Sequence, residues 1–323
     1  MTRWLHCSWL AVCACNQEAH VGDSPFATGG PDPGVSTTSA DTSSSSIGPG
    51  DETGAAKLDV GMARDGGAAA GDEGNDACPC GNSEWSYIWI ASGNDHLSKV
   101  DTRTMEVAAT FVTHPPERAG LASRTSVSLD GTAAVVANRG GGLAKFWARS
   151  ADCDENANGE PGLQTSTGVA ALAWGEDDCL AWYTPFDVTT QRPVAWTGRF
   201  DTETCTYHDQ KIWSASGYDG TESSIGASMC IGVTGDDAAA GNEVRVYRLD
   251  GQTGEVEDDV LVDGVACSGP GPYGMAADGD GNVWVSFFHS GELVRVDGST
   301  LEVEIHSGAN YGITVDSLDR PWS

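Results

Sequence analysis

A short pattern that recurs along the chain limits its fold more than any other feature of the sequence. Each copy reads apolar residue, Asp, two turn residues, Thr, a variable residue, Glu and Val, and the ungapped copies are residues 100–107, 249–256 and 296–303. A degenerate copy begins at Phe200. An alternating stretch precedes each copy and an apolar run follows it, while an Asp side chain bonds the backbone of a tight turn. The pattern predicts repeated strand–turn–strand units.

A second motif sets the period of the repeat. Residues 273–284 and 311–322 both begin Tyr-Gly and end in Trp, and their tyrosines are 38 residues apart. Residues 88–93 read Ile-Trp-Ile-Ala-Ser-Gly and recur, with one change, at 212–217. The chain also has 42 Gly, which favour turns over helices. A period of about 40 residues with four short strands per unit is typical of a β-propeller.

We therefore expect an all-β propeller of about five four-stranded antiparallel blades, with about four to seven allowed. The expected blades are 85–113 joined by 310–323, then 123–165, 168–209, 211–263 and 271–308. The chain ends would complete one blade together, which leaves no exposed sheet edge. The alternative is that Trp322 and Ser323 stop inside a strand that would otherwise continue.

The repeat unit resembles those of a known family. Gly279-Asp-Gly-Asn-Val-Trp-Val285, followed by Gly291-Glu-Leu-Val-Arg-Val-Asp297, is similar to NHL-repeat and virginiamycin B lyase-like propellers of the kind carried by secreted bacterial lipoproteins. The resemblance covers residues 84–323 and implies the fold. The lyase itself implies a divalent metal with His and Glu in the central cleft, and its Trp strand commonly ends in Glu. Here the strands at Trp89 and Trp284 lack that carboxylate, so no catalytic residue carries over.

The first 83 residues contain two further segments. Residues 1–15 read as a signal peptide, and Val12-Cys-Ala-Cys15 resembles a bacterial lipobox that would make Cys15 the lipidated residue. An ordinary secretory signal and a mis-assigned start are the alternatives. Residues 16–83 are rich in Ser, Gly, Ala and acids, with Phe26 as their one aromatic residue. Such a segment buries too little apolar area to fold, so we expect a disordered linker.

The charge of the chain excludes some partners. It has 47 acidic against 17 basic residues, a net charge of −30. Such a surface repels nucleic-acid backbones and anionic membranes and favours cations. No apolar run is long enough for a membrane-spanning helix. We therefore expect an exported protein of the cell envelope or extracellular space, without nucleic-acid partners, that reaches a membrane only through a lipid anchor.

One acidic segment fits the beginning of a calcium-binding loop. Residues 154–159 match Asp-x-Asn-x-Asn-Gly, which places oxygen ligands at alternate positions. The twelfth position of such a loop holds Thr165 rather than Glu, so the site would need completion by Glu176 or Asp177. The interpretation is a structural Ca²⁺ site, and the alternative is a polar surface insertion. The proposed ligands are Asp152, Asp154, Asn156, Asn158 and Glu160.

The chain has 10 cysteines, which in an exported protein predict disulfides. Cys153 and Cys179 flank one inserted region and are the preferred pair. Cys205 with Cys230 is a second candidate pair, which leaves Cys267 for Cys78 or Cys80.

The function that these features favour is a binding or scaffold module at a propeller rim, with an unknown ligand or protein partner. The alternative is a divalent-metal-dependent lyase or hydrolase, virginiamycin B lyase-like or lactonase-like, acting in the central channel. The two differ in what lines the channel: the enzyme requires Asp, Glu, Asn or His side chains that converge on one point. The sequence identifies no catalytic residue.

Overall fold

The computed structural model describes residues 86–218, 225–227, 229–230, 243–309 and 311–323. The expected signal peptide, the lipidation site Cys15 and the acidic linker lie outside the described residues. Within the described ranges the chain is all-β, and its one helix is a single 3-10 turn, η1 (Ser150–Asp152). No helix in this part of the chain is long and apolar enough to cross a membrane.

Five antiparallel sheets follow one another along the chain, and within each sheet the strands lie in sequence order. The first sheet has three strands, the next three have four each, and the fifth has two. Their strands are β1 (Tyr87–Ser92), β2 (His96–Asp101) and β3 (Glu106–Val112); β4 (Ala122–Val127), β5 (Ala133–Asn138), β6 (Leu143–Trp147) and β7 (Leu180–Thr184); β8 (Thr190–Asp201), β9 (Thr206–Tyr218), β10 (Glu243–Asp250) and β11 (Val256–Leu261); β12 (Gly274–Ala277), β13 (Val283–Ser286), β14 (Glu292–Val296) and β15 (Val303–Ser307); and β16 (Thr314–Val315) with β17 (Pro321–Trp322).

The second sheet is longer in sequence than expected. Its fourth strand, β7, follows a 3-10 turn and an irregular insertion after β6. The prediction that 123–165 forms one blade and 168–209 begins another is therefore wrong. The insertion displaces the fourth strand along the chain, and its turn-rich sequence resembles the boundary between two blades.

The third sheet contains a long hairpin that the repeat pattern did not predict. Strands β8 and β9 have 12 and 13 residues and pair with each other. The degenerate motif at Phe200 forms the turn of this hairpin, between the first and second strands, whereas the three other copies join third-strand and fourth-strand equivalents. The predicted boundary at 209–211 is wrong because it falls inside β9.

The first strands of consecutive sheets pack side by side. Contacts join β1 to β4, β4 to β8, β8 to β12 and β12 to β16. The predicted composite blade requires β16 and β17 to join the first sheet, but the pairings of the described strands place these two only with each other. Closure of the ring therefore stays a prediction.

The apolar core lies between consecutive sheets, in three clusters. Each cluster combines side chains from two neighbouring sheets, and full burial of one such side chain contributes roughly 1.5–3 kcal/mol. Representative pairs, from the first interface to the third, are Trp89 with Phe146, Val135 with Ile212, and Val246 with Val285.

One strand in each of three sheets, β1, β9 and β13, carries a tryptophan that faces a base on the next strand. Trp89 pairs with Lys99, Trp213 with Arg248, and Trp284 with Arg295. In each case the cation lies within 6.0 Å of the ring centre, a distance at which the ring attracts it. The equivalence of these tryptophans, predicted from the repeats, is present in the structure.

Lys99 and Arg248, together with Lys145 of β6, also join their sheets to the following ones. Lys99 Nζ donates to the carbonyl of Ala148 at 3.1 Å, and Lys145 Nζ donates to that of Gly251 at 2.8 Å. Arg248 Nη1 donates in the same way to Gly298, at 2.7 Å. Each acceptor follows the third strand of the next sheet, by one residue for Ala148 and Gly251 and by two for Gly298. The same inter-sheet hydrogen bond thus recurs three times, and it satisfies carbonyls at the edge of the core.

Two equivalent aspartates organise the turns after the first strands of the fourth and fifth sheets. Asp278 accepts a hydrogen bond from Trp284 Nε1 at 3.1 Å, and Asp316 accepts one from Trp322 Nε1 at 2.9 Å. Their other carboxylate oxygens accept backbone N–H groups of the turn. The 38-residue repeat read from the sequence is therefore a repeat of side-chain bonding as well as of strands.

Two disulfides lie within the described residues. Cys153 and Cys179 are bonded, with Cα atoms 4.5 Å apart, and hold together the two ends of the insertion between β6 and β7. This is the pair that the sequence favoured.

The second disulfide joins Cys230 to Cys267, so the predicted pair of Cys205 with Cys230 is wrong, and Cys267 does not pair with Cys78 or Cys80. Cys205 is itself disulfide-bonded, but not to Cys230. It precedes β9, whereas Cys230 and Cys267 lie beside Gly217 near the other end of this strand. A strand of 13 residues spans about 40 Å, far beyond the reach of one disulfide.

Candidate functional site: an arginine–tyrosine cluster at one end of the sheets

A group of arginine and tyrosine side chains gathers where the first strands of several sheets begin. Arg124 and Arg192 are the third residues of β4 and β8, and Tyr273 directly precedes β12. Tyr311 precedes β16, and Arg139 directly follows β5, whose end lies beside the start of β4. We call these five residues the arginine–tyrosine cluster. Because neighbouring first strands pack together, residues far apart in sequence meet here.

The rings and guanidinium groups of the cluster are stacked. The guanidinium carbon of Arg124 lies 4.6 Å from the ring centre of Tyr273 and 5.4 Å from that of Tyr311. The guanidinium carbon of Arg192 also lies 5.4 Å from the ring centre of Tyr273. The Tyr273 hydroxyl donates to the Tyr311 hydroxyl at 3.0 Å. Phe288 extends the aromatic surface, with ring centres 5.7 Å from Tyr273 and 5.5 Å from Tyr311.

Backbone features place the arginines. The ladder between β8 and β9 is irregular between Gln191 and Val194, where Pro193 has no N–H to donate. Arg192 Nε donates to the carbonyl of Pro270 at 3.1 Å, which ties β8 to the segment before β12.

The turn that follows Arg139 contains Gly141, whose φ of 93° suits glycine. A Cβ atom at Gly141 would lie 2.3 Å from the Phe186 carbonyl oxygen, so this turn packs closely on the chain before β8. Arg139 Nε donates to Ser123 Oγ at 3.3 Å, and its carbonyl accepts from the Gln191 N–H at 3.1 Å. The turn therefore fixes Arg139 between β4 and β8.

The electrostatics of the cluster reflect crowded positive charge. Burial, together with the charges of Arg139 and Arg124, lowers the pKa of Arg192 to about 10, so this guanidinium is still charged at neutral pH. The hydrogen bond from Tyr273 and the charge of Arg124 lower the pKa of the Tyr311 phenol. Burial and the bond to Tyr311 raise the pKa of the Tyr273 phenol.

Two arginines of the cluster, Arg124 and Arg139, differ from most other described arginines in their ion pairs. Most arginines in the described ranges form ion pairs with Asp or Glu, namely Arg103, Arg118, Arg149, Arg199, Arg245, Arg248, Arg295 and Arg320. Among the described residues Arg124 and Arg139 have no carboxylate within ion-pair distance. In a chain with a net charge of −30, two arginines of one cluster without an acidic partner among the described residues are a built feature rather than a consequence of composition.

The predicted calcium ligands lie in the insertion, away from this cluster in sequence. The carboxylate of Asp152 is bound by the Arg149 guanidinium. Asp154 accepts the Asn156 N–H at 3.1 Å, and Asn158 accepts the Glu160 N–H at 2.8 Å.

Two acids near the predicted loop are also engaged. Asp177, expected to complete the site, accepts the Ser166 and Cys179 N–H groups, each at 3.0 Å. Asp178 accepts the Gln164 N–H at 2.7 Å. Both carboxylates therefore hold the insertion backbone. Across the described ranges no group of three or more His, Cys, Asp or Glu residues is arranged to hold a metal ion.

The arginine–tyrosine cluster was not predicted from the sequence. The repeated Tyr-Gly at 273 and 311 marked two of its members as equivalent strand starts, but not as partners. Its arginines do not belong to the recurring motifs, and only the packing of β4 and β8 brings them together. A usable signal was present: bases are scarce in this chain, and Arg124 and Arg192 each stand near the start of a first strand.

The similarity of this chain to one solved structure is distant. No family model matches it, and no curated protein matches it. Among solved structures it resembles a protein of unknown function from Bacteroides caccae, with a TM-score of 0.39 and 10% identity, over 73% of this chain. The aligned part spans 63% of the length of that protein.

Proposed function

We propose that this protein is an exported binding module: a β-propeller of about five blades, built on the five sheets, that holds its ligand at the arginine–tyrosine cluster. The observation that carries the proposal is the convergence of Arg124, Arg192, Tyr273 and Tyr311 from four consecutive sheets. Ligands commonly bind where the ends of several strands or loops meet on a rigid scaffold.

The exposure of the aromatic rings supports a binding role. Tyr311 is 54% exposed and Phe288 is 45% exposed, although both rings are large and apolar. Aromatic side chains of this kind contribute a flat contact surface with little loss of side-chain entropy.

The anchor and the ring closure are further parts of the proposal. Lipidation at Cys15 would hold the domain near a membrane through a long linker, and the disulfides are consistent with an oxidising compartment. The repeated inter-sheet hydrogen bonds of Lys99, Lys145 and Arg248 support a ring, since they run from each sheet to the next in one direction.

A ligand screen on the full chain tests the binding proposal. Neutral and charged small molecules and oligosaccharides are screened while the NMR signals of Tyr273 and Tyr311 are observed. We expect the ligands that bind to shift these signals, and Tyr311→Ala to weaken binding by roughly tenfold. Phe200→Ala, which removes an aromatic contact with Tyr207 at the β8–β9 hairpin, is the matched control. Ligands that bind without shifting either tyrosine signal would place the site elsewhere.

Calcium in the insertion is a separate proposal. Asp154, Asn156, Asn158 and Glu160 would supply the oxygen atoms, and Asp152 would have to leave Arg149 to join them. We expect Ca²⁺ to raise the melting temperature of the full chain and Asp154→Ala to remove that increase. An equal increase in the variant would exclude this loop as the site.

The metal-dependent lyase or hydrolase of the sequence analysis remains a hypothesis. It requires ligating side chains that converge on the channel, and no arrangement of the described residues favours it over the binding module.

A further inference from the structure

The ligand class follows from the chemistry of the arginine–tyrosine cluster, and this inference rests on the proposed binding function. We propose that the cluster binds an oxyanion, the carboxylate or phosphate group of a small organic molecule, through Arg124 and Arg139, with the rings of Tyr311 and Phe288 beside it.

The first step is the balance of charge. Arg124 and Arg139 have no ion-pair partner among the described carboxylates, whereas most other arginines in the described ranges do. The charges of Arg139 and Arg124 lower the pKa of Arg192, which shows how close the three guanidinium groups lie. Positive groups held this close repel one another, and a bound anion replaces that repulsion with attraction.

The second step is the orientation of the donors. The guanidinium of Arg124 lies against two aromatic rings. A guanidinium that stacks on a ring keeps its N–H groups in its own plane, where they can donate in parallel to a carboxylate or phosphate. The Arg139 side chain makes one hydrogen bond, through Nε to Ser123, within the described residues.

The third step is access. Arg124 and Arg139 are half-buried, so they are partly desolvated but still reachable. Tyr311 and Phe288 are both exposed, and their ring centres lie 5.5 Å apart. A ligand with a ring next to its anionic group can therefore contact both the arginines and the aromatic surface.

Three hexose probes distinguish the contribution of an anionic group to binding from the contribution of the sugar ring. Glucuronate carries a carboxylate, glucose 6-phosphate carries a phosphate, and glucose carries neither. Each is titrated into the full chain at millimolar concentrations while the signals of Tyr273, Tyr311 and the arginine Nε–H groups are observed by NMR. We expect glucuronate or glucose 6-phosphate to shift these signals and glucose to bind at least roughly tenfold more weakly. A preference between the two charged probes distinguishes a carboxylate from a phosphate ligand.

Variants assign the effect to the arginines. Arg124→Gln and Arg139→Gln are each expected to weaken binding of the charged probe by roughly tenfold or more. Arg245→Gln is the matched control, since Arg245 is a partly exposed arginine of the third sheet that pairs with Asp259 and Glu243. Thermal unfolding of each variant confirms that it is folded.

The outcomes separate this inference from the proposed function. Equal binding of glucose and the charged probes, unaffected by Arg124→Gln, overturns the oxyanion site but leaves a binding module at this face. No response to either charged probe also overturns it, while the ligand screen on Tyr273 and Tyr311 decides the proposed function independently. Binding that is lost equally in Arg245→Gln reports the overall charge of the chain and overturns the assignment.

Discussion

The hydroxyl groups of Tyr273 and Tyr311 lie 3.0 Å apart, with Tyr273 as the donor. The two residues hold the same place in successive repeats, so one sequence motif supplies both partners of the bond. The bond also shifts the two phenol pKa values in opposite directions, because it raises the pKa of the donor, Tyr273, and lowers that of the acceptor, Tyr311. Arg124 lies over both rings and favours the ionised form of Tyr311.

The first prediction concerns this acidity. Arg124→Gln removes the positive charge and the hydrogen bond that favour the Tyr311 phenolate, so the pKa of Tyr311 is expected to rise. The measurement is titration of the Tyr311 ring signals by NMR, in the wild type and the variant. Arg245→Gln is expected to leave the titration unchanged. A pKa of Tyr311 that is the same with and without Arg124 would show that the two groups do not interact in solution.

The second prediction concerns a buried lysine. Lys145 is 2% exposed, and burial lowers its pKa to about 8 from the ordinary 10.5. Between these two pH values the unfolded chain binds more protons than the folded chain, so the free energy of unfolding increases as the pH rises through this window. The increase from this group is at most about 3 kcal/mol.

Lys145→Met removes the titrating group, so the variant is expected to lose this part of the pH dependence. The measurement is urea unfolding near pH 8 and near pH 10.5, where the difference between wild type and variant isolates Lys145. Lys211 is the matched control, because its bonds to Glu257 and Asp250 raise its pKa. Its stabilising effect is present at low pH and is lost as the pH rises, which is the opposite sign. Identical pH profiles for wild type and Lys145→Met would contradict the prediction.

The sequence predicted the repeated features of the fold and missed those that interrupt the repeat. The turn motif and the tryptophans recur because each repeat unit contains the same tight turn and the same kind of contact with the neighbouring sheet. The insertion before β7 and the long β8–β9 hairpin carry turn residues without the motif, so their boundaries were misplaced. Local patterns determine strands, but they do not determine which strand an irregular segment leads to.

The candidate site was beyond sequence reasoning for a related reason. Arg124, Arg139 and Arg192 are brought together by contacts between first strands of different sheets, and no spacing in the sequence encodes those contacts. The pairing of Cys230 with Cys267 had the same difficulty, because connectivity depends on which ends of the strands are neighbours. The Cys153–Cys179 pair could be predicted from the sequence, because the two cysteines lie at the two ends of one insertion.

The third prediction concerns that disulfide. It closes a loop of 26 residues, for which the chain-entropy model gives a stabilisation of about 3.5 kcal/mol. The double variant Cys153→Ser/Cys179→Ser is expected to lose free energy of unfolding of that order and to become sensitive to proteolysis between β6 and β7. Peptide mapping without reduction checks the connectivity of both pairs. Cleavage that is unchanged in the insertion would show that other contacts, such as those of Asp177 and Asp178, hold it.

The fourth prediction compares two equivalent arginines. Both arginines form ion pairs in their own sheets, Arg248 with Asp258 and Glu257 and Arg295 with Glu304 and Asp297. Arg248 also donates to the Gly298 carbonyl in the following sheet, at 2.7 Å. Arg248→Met leaves a partly buried carbonyl without its donor and is expected to cost about 1–3 kcal/mol of unfolding free energy. Arg295→Met removes ion pairs within one sheet and leaves no inter-sheet carbonyl without its donor, so less than about 1 kcal/mol is expected. Urea unfolding of both variants measures the difference. Equal losses would show that the cation–ring contact, which both arginines make, matters more than the inter-sheet hydrogen bond.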